Sequence, residues 1–231
     1  EDLKEKIQKL GVKPKLAIVM VSGNPATEIY VRLKRKAAEE VGIETEVVSS
    51  LEKVSPDADG IIVQLPYPNQ KEIIAKIPNE KDVDGLTGKS DFLPATVKGI
   101  LTALEGFEIE GKEVTIIGRS QEVGKPLALT LIDLGATVTV CHSKTQNLKL
   151  KTQNADILIS ATGKPGLVTA EMVKPGAVVI DVGSPKGDVD FENVKNIVSA
   201  ITPVPGGIGP LTVISLLENT LEAAIKFRGQ T

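Results

Sequence analysis

The sequence predicts an α/β protein of doubly wound architecture, in which the strands of a parallel sheet alternate with helices. Short apolar segments and helical patterns alternate along almost the whole chain, and this alternation is typical of such folds. Segments such as 178–180 are apolar without interruption, as expected of strands that are buried on both faces. Residues 81–94 are rich in Asp, Gly and Pro, which predicts a connection between two units.

The elements of the first unit follow from three apolar runs and two segments with helical spacing. Each run is short enough for a single strand, whereas the longer amphipathic segments favour helices. The predicted strands are residues 16–21, 45–48 and 60–65, and the predicted helices are residues 26–41 and 71–77.

The second unit repeats this alternation, and a long helix follows it. The loop before that last helix is rich in Pro and Gly, and the pattern alone assigns the helix to neither unit. The predicted strands are residues 113–117, 136–141, 156–160, 177–181 and 197–200, and the predicted helices are residues 97–104, 123–134, 170–173 and 211–227.

Composition excludes several classes of protein. The 231 residues are enough to bury a core. A net charge of −3 and an aromatic content of 3% without Trp do not favour a nucleic-acid-binding protein. One Cys excludes an internal disulfide, and with a single His it excludes a His/Cys metal cluster, so no metal is expected. The apolar runs are too short to span a bilayer, and we expect a soluble cytoplasmic protein with no membrane partner.

A glycine-containing turn at the start of the second unit is a candidate phosphate site. The predicted strand 113–117 leads into Gly118, Ser120 and Gly124, and a helix follows. Such a turn lets the backbone approach a phosphate at the positive end of the helix. Because the spacing is not G-x-G-x-x-G, an ordinary turn with glycines for packing is an equally good interpretation of this loop.

The next strand favours a dinucleotide site that selects NADP. An NAD site usually has a carboxylate about 20 residues after the glycines, where it binds the ribose 2′-hydroxyl. Here the second strand ends in Cys141, His142 and Ser143 without a carboxylate, and Arg119 lies in the first loop. An Arg fork and a Ser hydroxyl suit a 2′-phosphate. His142 lines the adenosine-phosphate pocket or has a structural role, since a metal or base role lacks a second ligand or a carboxylate partner.

Polar residues of the first unit indicate a second site. Tyr30 and Lys34 lie four residues apart and therefore on one face of the predicted helix 26–41. Gln64 closes the apolar run 60–65, at the strand end where open α/β sheets bind ligands. Asp84 follows in a predicted loop. Taken singly, these residues also suit solvated surface, helix caps or turns.

Seven segments together resemble the bifunctional methylenetetrahydrofolate dehydrogenase/methenyltetrahydrofolate cyclohydrolase family. They stand in the family's order and cover nearly the whole chain, and the run Ile-Thr-Pro-Val-Pro-Gly-Gly-Ile-Gly-Pro-Leu-Thr is the most specific. The segments are residues 30–36, 60–66, 81–85, 118–120 with 123–126, 137–145, 155–158 and 201–212.

The resemblance implies a folate site in the first unit. It implies that Lys34 is the catalytic lysine, that Gln64 contacts and tunes it, and that Tyr30 packs on the aminobenzoate of the folate. It implies that the Asp84 carboxylate holds the pterin. Further substrate contacts are implied for Leu65, Pro66, Pro205, Gly209, Pro210 and Thr212.

The resemblance also implies the cofactor contacts and the domains. Arg119 and Ser143 match contacts with the 2′-phosphate, whereas Thr162, Gly163 and Gly183 match positions near the nicotinamide. Residues 1–93 plus 211–231 are expected to form the folate-binding catalytic domain, and residues 94–210 a Rossmann-like NADP-binding domain with a parallel sheet. Homodimers through the cofactor domains are implied.

The implied activity is oxidation of 5,10-methylenetetrahydrofolate with NADP, followed by hydrolysis of the methenyl product to 10-formyltetrahydrofolate. One alternative is another two-domain NADP-dependent dehydrogenase, similar to shikimate dehydrogenases. The other is a non-catalytic protein that binds folate or a nucleotide. Gln64 and the loop 205–212 argue against the first alternative, and the joint presence of Tyr30, Lys34, Gln64 and Asp84 argues against the second.

Three departures from the family pattern are also apparent in the sequence. One is the loop of residues 94–97, which reads Pro-Ala-Thr-Val where Pro-Cys-Thr-Pro is usual. Segment 49–59 is shorter than the family's usual crossover, so we expect that a helix covering the first sheet is lost. Ser184 stands where an apolar residue usually flanks the nicotinamide pocket.

Overall fold

A computed structural model describes residues 3–11, 13–21, 23 and 25–228 of the chain. The chain divides into two compact units, of which unit 1 comprises Glu1–Ala95 with Val213–Thr231 and unit 2 comprises Thr96–Thr212. Both sheets are parallel throughout, as predicted from the uninterrupted apolar runs.

Unit 1 is built on a three-stranded sheet. The strands are β1 (Lys15–Val19), β2 (Glu44–Val48) and β3 (Gly60–Val63), in the spatial order β2-β1-β3. The helices are α1 (Leu3–Leu10), α2 (Pro25–Val41) and α3 (Gln70–Ile74), together with most of the last helix, α8 (Ile208–Arg228). The register aligns Val19 with both Val48 and Val63, so all three strands end at the same edge.

Both faces of this sheet are buried. On one face, Leu16 and Ile18 belong to a cluster with Leu216, Leu217 and Leu221 of α8. On the other face, a second cluster joins sheet residues to α3 and the segment after it, with Ala17, Val19, Ile61, Val63, Ile74 and Ile77 as members. Ile208–Lys226 of α8 is long and apolar enough to cross a membrane by length and composition, but half of it is buried within the protein. Leu216, Leu217 and Leu221 of this helix are core residues of unit 1.

The segment that connects β2 to β3 is short, and the sequence predicts that it lacks the helix that usually covers this sheet. Between β2 and β3 the described chain forms only a 3-10 turn, Leu51–Lys53, which confirms that expectation. Leu51 and Val54 pack against the second cluster of the sheet. The Tyr67 hydroxyl donates to the carbonyl oxygen of Ser49 at 2.6 Å. The side chains of Leu51 and Val54 and the hydrogen bond of Tyr67 thus lie where the lost helix would have covered the sheet.

Unit 2 is built on a five-stranded sheet with the order β5-β4-β6-β7-β8. Its core includes Ile117, Leu158 and Val179 from the sheet, with the single cysteine, Cys141. The strands are β4 (Glu113–Ile117), β5 (Thr137–Cys141), β6 (Ile157–Ser160), β7 (Val178–Asp181) and β8 (Ala200–Ile201). The helices are α4 (Ala95–Ala103), α5 (Gly124–Asp133), α6 (Leu148–Thr152) and α7 (Phe191–Val194).

Several element bounds differ from the sequence-based expectation. The last helix begins at Ile208 rather than at 211, and Pro210 fits there because the N–H groups of the first turn have no intrahelical partner. The last strand covers Ala200–Ile201 rather than 197–200, because the amide of residue Ile197 closes a turn onto Val194. Residues 170–173, expected as a helix, form a 3-10 turn, Ala170–Met172.

Candidate active site

A lysine and a glutamine meet at the carboxyl edge of the unit 1 sheet. Gln64 directly follows β3, and its backbone N–H donates to the Val19 carbonyl at 2.8 Å, which fixes it at that edge. Lys34 of α2 donates from Nζ to the Gln64 Oε1 at 3.0 Å. The Gln64 Nε2 in turn donates to the Leu65 carbonyl at 3.2 Å, so the orientation of the amide is set. The ammonium nitrogen is thereby held by a neutral acceptor.

Burial shifts the pKa values of Lys34 and Asp84 in opposite directions. Desolvation lowers the pKa of Lys34, and the opposite charge of Asp84 partly counteracts this. Desolvation also raises the pKa of Asp84; Lys34 opposes that change and Asp82 adds to it. A lowered pKa increases the share of the neutral amine of Lys34, which is the form that can accept a proton.

Two buried side chains fix the loop that carries Asp84. The Asp82 carboxylate accepts hydrogen bonds from the Leu86 N–H at 3.1 Å, the Thr87 N–H at 2.8 Å and the Thr87 hydroxyl at 2.7 Å. From α8, the Asn219 Nδ2 donates to the carbonyls of Val83 and Leu93, each at 2.9 Å. Sequence reasoning missed Asn219, although a polar residue within the apolar pattern of a core helix is the signal that marks it.

Tyr30, Leu65 and Pro66 lie close to this pair along the chain. Tyr30 is one helical turn before Lys34 on α2 and remains 40% exposed. The Leu65–Pro66 peptide is cis and directly follows Gln64. An exposed aromatic ring within one turn of the half-buried Lys34 offers an apolar face to a flat ligand.

In unit 2 the register of the strands brings the predicted cofactor residues to one edge of the sheet. Ile117 pairs with Cys141 and with Ser160, and Ser160 pairs with Asp181. The segments after these strands therefore begin at the same edge. They carry Gly118, Arg119 and Ser120 after β4, His142 and Ser143 after β5, Thr162 and Gly163 after β6, and Gly183 after β7.

The turn after β4 requires glycine at two positions. Gly118 has a φ of 129°, and a Cβ there would overlap the Ala161 carbonyl oxygen. A Cβ on Gly124 would overlap the Gly118 carbonyl oxygen and lie 2.9 Å from the Arg119 Cα. The Ser120 hydroxyl accepts the Val123 N–H at 3.1 Å, just before α5 begins. Both glycines are therefore needed for the close packing of this turn before the ten-residue helix α5, whose first-turn N–H groups suit an anion.

The loop after β5 has a fixed shape and carries no acid. The Thr145 N–H donates to the His142 carbonyl at 2.8 Å, and the His142 N–H donates to the Thr145 hydroxyl at 2.9 Å. The His142 Nδ1 accepts the Lys144 N–H at 3.1 Å, which assigns the ring proton to Nε2. Arg119 and Ser143 are exposed, and residues 141–147 contain no carboxylate.

The loop after β7 is folded around a buried carboxylate. Asp181 accepts hydrogen bonds from the N–H groups of Gly183 at 2.8 Å, Asp188 at 2.9 Å and Val189 at 2.9 Å. A Cβ on Gly183 would lie 2.6 Å from the Asp188 nitrogen, so no larger residue fits. Ser184, exposed, follows directly and has a cis peptide bond to Pro185.

The remaining predicted substrate contacts lie at the end of unit 2. Pro205 follows a cis peptide bond in the loop before α8. Gly209, Pro210 and Thr212 are in the first turns of α8, where the Thr212 hydroxyl donates to the Ile208 carbonyl at 3.0 Å. Their role toward a substrate stays a prediction. Within the described part of the chain, no group of three or more His, Cys, Asp or Glu side chains could hold a metal ion.

Two family models match the chain over nearly its whole length. The model of the tetrahydrofolate dehydrogenase/cyclohydrolase catalytic domain matches residues 1–84. The model of the tetrahydrofolate dehydrogenase/cyclohydrolase NAD(P)-binding domain matches residues 94–228.

Similar proteins are known in sequence and in structure. The bifunctional protein FolD of Methanospirillum hungatei is 46% identical, over 97% of this chain and 92% of the relative. The crystal structure of the bifunctional FolD enzyme from Campylobacter jejuni is 40% identical with a TM-score of 0.89, over 97% of this chain and 93% of that one. The Trypanosoma brucei FolD enzyme, solved with NADP and an inhibitor, is 34% identical with a TM-score of 0.90, over 99% of this chain and 94% of that one.

Proposed function

The chain belongs to the tetrahydrofolate dehydrogenase/cyclohydrolase family, and we propose that it oxidises 5,10-methylenetetrahydrofolate with NADP and then hydrolyses the product. The first reaction gives 5,10-methenyltetrahydrofolate and the second gives 10-formyltetrahydrofolate. The relatives named as bifunctional FolD proteins support both activities. Neither step needs a metal ligand from this chain.

The observation that carries the proposal is the contact between Lys34 and Gln64. An exposed lysine is neutral in about 1 molecule in 2,500 at pH 7, which is too few for an efficient base. Burial lowers the pKa of Lys34, and an uncharged amide rather than a carboxylate accepts its hydrogen bond at 3.0 Å. The neutral amine is therefore more populated than that of a surface lysine.

Each side chain of this site has a role in the proposed hydrolysis. Lys34 takes a proton from the water that adds to the methenyl carbon, and Gln64 holds its Nζ in position. The bond from that carbon to N5 then breaks as the remaining hydroxyl proton passes to N5, which opens the ring and leaves the formyl group on N10. Asp84 accepts hydrogen bonds from the N–H donors of the pterin, a charge-assisted arrangement. The Tyr30 ring packs on the aminobenzoate. Leu65, Pro66, Pro205, Gly209, Pro210 and Thr212 complete the substrate contacts.

The residues at the edge of the unit 2 sheet fit NADP. Bound NADP supplies the hydride acceptor of the first reaction. Gly118, Ser120 and Gly124 bind its pyrophosphate at the start of α5, where the N–H groups of the first helical turn and the helix dipole favour an anion. Arg119 and Ser143 bind the 2′-phosphate, and His142 lines the adenosine side. Thr162, Gly163 and Gly183 support the nicotinamide end.

The proposed functional domains follow the same division. Residues 1–93 with 211–231 form the folate-binding catalytic domain, and residues 94–210 form the NADP-binding domain. The two compact units of the structure, divided after Ala95 and after Thr212, support this assignment. So does the packing of α8 leucines in the core of unit 1.

A homodimer in the cytoplasm is also proposed, with purine biosynthesis as the use of the formyl group. Support for the dimer comes from apolar side chains at the surface of unit 2, where Leu129 is 65% and Ile132 is 53% exposed on α5. Val140 is exposed on β5, the edge strand of the sheet. Sedimentation of the Ile132→Glu variant tests the dimer, since a charge on this surface should favour the monomer.

A spectrophotometric assay with 5,10-methylenetetrahydrofolate tests the function. With NADP, absorbance of the methenyl compound should appear and then decay, and NAD should serve less well. The Lys34→Met variant should still bind NADP but should not hydrolyse added methenyltetrahydrofolate. Normal hydrolysis by that variant would contradict the role of Lys34.

A further inference from the structure

A buried carboxylate in unit 2 accepts three hydrogen bonds through a single oxygen atom. Asp188 has no exposed surface. Its Oδ2 accepts hydrogen bonds from the Ser160 hydroxyl at 2.9 Å, the Thr162 N–H at 2.7 Å and the Thr162 hydroxyl at 2.9 Å. Ser160 is the last residue of β6, and Thr162 is in the loop after it.

The backbone of Asp188 is also held by hydrogen bonds on both its N–H and its carbonyl. The Asp188 N–H donates to the Asp181 Oδ1 at 2.9 Å, and its carbonyl accepts the Val168 N–H at 2.9 Å. Asp181 also accepts the N–H of Gly183. The carboxylates of Asp181 and Asp188 therefore link the loop after β7 to the loop after β6. The first loop carries Gly183, and the second carries Thr162 and Gly163.

Asp188 cannot contact a ligand directly. Its second oxygen, Oδ1, is buried and has no hydrogen-bond partner among the described residues. Burying a carboxylate oxygen without a hydrogen-bond donor costs free energy. In Asp188 this cost accompanies three hydrogen bonds to the other oxygen. Those bonds are charge-assisted, and a neutral amide in the same place would hold the loop less firmly.

We propose that Asp188 is a positioning residue for hydride transfer, which fixes the Thr162–Gly163 backbone under the nicotinamide end of the cofactor. The proposal rests on the proposed function. Hydride transfer depends steeply on the distance and orientation of the reacting atoms. A side chain that restricts the motion of this loop therefore affects the kcat of the dehydrogenase reaction. It does not act on the adenosine end of the cofactor or on the hydrolysis reaction, which uses no cofactor.

The Asp188→Asn variant tests this in the full-length protein. It keeps the shape but removes the negative charge that the three donors share. Dehydrogenase kcat should fall about tenfold or more. Hydrolysis of methenyltetrahydrofolate and the Kd of adenosine 2′,5′-bisphosphate, which lacks the nicotinamide, should stay at the wild-type values. Thr162→Val, which removes one of the three bonds and leaves Asp188 intact, should lower kcat in the same direction.

Ser160→Ala is the matched control. It removes a hydrogen bond to the same Asp188 oxygen but leaves the Thr162 loop attached, so it should change stability more than dehydrogenase kcat. Unchanged kcat in both Asp188→Asn and Thr162→Val would overturn the proposal. So would an equal loss of hydrolysis and of adenosine 2′,5′-bisphosphate binding in Asp188→Asn, which would indicate a general structural role. If the wild-type protein does not reduce NADP, the proposed function fails first and this inference falls with it.

Discussion

At the residue scale, the proposed catalysis depends on a neutral hydrogen-bond acceptor for the half-buried amine of Lys34. A carboxylate 3.0 Å from Lys34 would stabilise the ammonium form, whereas the Gln64 amide holds Nζ in place without adding charge. The sequence alone could place Lys34 and Tyr30 on one helical face and Gln64 at a strand end. It could not predict the contact between Lys34 and Gln64, because they are separated by 30 positions and only the packing of α2 on the sheet brings them together.

The first prediction concerns the pH dependence of hydrolysis. Because the pKa of Lys34 is lowered, the neutral base is lost only as pH falls through that lowered value. The Gln64→Glu variant should raise the pKa of Lys34 and shift the acid limb of the rate to higher pH by about one to three pH units. Gln121→Glu is the control, because Gln121 accepts a hydrogen bond from the exposed Lys125 at 3.2 Å. An unshifted limb in Gln64→Glu would exclude Lys34 as the titrating group.

The second prediction concerns Asp84. Asp84→Asn removes the carboxylate that we assign to the pterin, and a charge-assisted hydrogen bond contributes about 1.5–3 kcal/mol. Tetrahydrofolate affinity should therefore fall about 10- to 150-fold while NADP affinity is unchanged, as measured by equilibrium binding. Asp91→Asn, which removes an exposed partner of Lys226, should change neither affinity. Equal losses for both ligands in Asp84→Asn would indicate a structural role instead.

The third prediction concerns Arg119. Its removal in Arg119→Ala should raise the KM for NADP by about 10- to 150-fold and hardly change the KM for NAD, which lacks the 2′-phosphate. Added salt should reduce the difference, because an exposed ion pair is screened. Arg35→Ala, an exposed arginine of unit 1, is the control. A ratio of specificity constants that does not move would disprove the phosphate contact.

At the scale of elements, helix α8 has two functions in unit 1. Leu216, Leu217 and Leu221 complete the core, and Asn219 holds the loop that carries Asp84. The pattern of apolar residues predicts the helix but not the second function. Short elements were missed for a related reason: α6 has five residues and α7 has four, which is too few for a helical period to show.

The fourth prediction tests that second function. Asn219→Ala leaves the carbonyls of Val83 and Leu93 without their donor in a buried position, which should lower the free energy of unfolding by about 1–3 kcal/mol. Urea denaturation measures this loss. Tetrahydrofolate affinity should also fall, because the Asp84 loop is released. Glu222→Ala, an exposed residue of the same helix, should do neither, and a stability equal to wild type in Asn219→Ala would contradict the argument.

At the scale of the whole molecule, the sequence predicts the division into two units better than it predicts the buried hydrogen-bonded residues inside them, such as Asp188. The Asp-, Gly- and Pro-rich connection and the recurring strand pattern indicate the division of the chain. A buried anchor leaves no such signal, since Asp188 lies in a Gly- and Asp-containing segment that also suits an exposed turn. Its partner Ser160 is 28 positions away, so only the folded sheet reveals it.

The fifth prediction concerns the stability of the whole chain with ligand. NADP at 100 times its Kd should stabilise the folded protein by about 2.7 kcal/mol. Thermal unfolding should show this as a higher midpoint with NADP than with NAD at the same concentration. Arg119→Ala should remove most of the difference between the two nucleotides, and equal midpoints for wild type would argue against selection of NADP.

Because of its position, Cys141 can serve as a chemical probe in the unmodified protein. The cysteine is the single one in the chain, is 1% exposed in the core of unit 2, and has a thiol pKa raised by burial. Thiol reagents attack the thiolate, so labelling proceeds through molecules in which unit 2 has opened. The labelling rate therefore records the opening of that unit alone, with no engineered tag and no signal from unit 1.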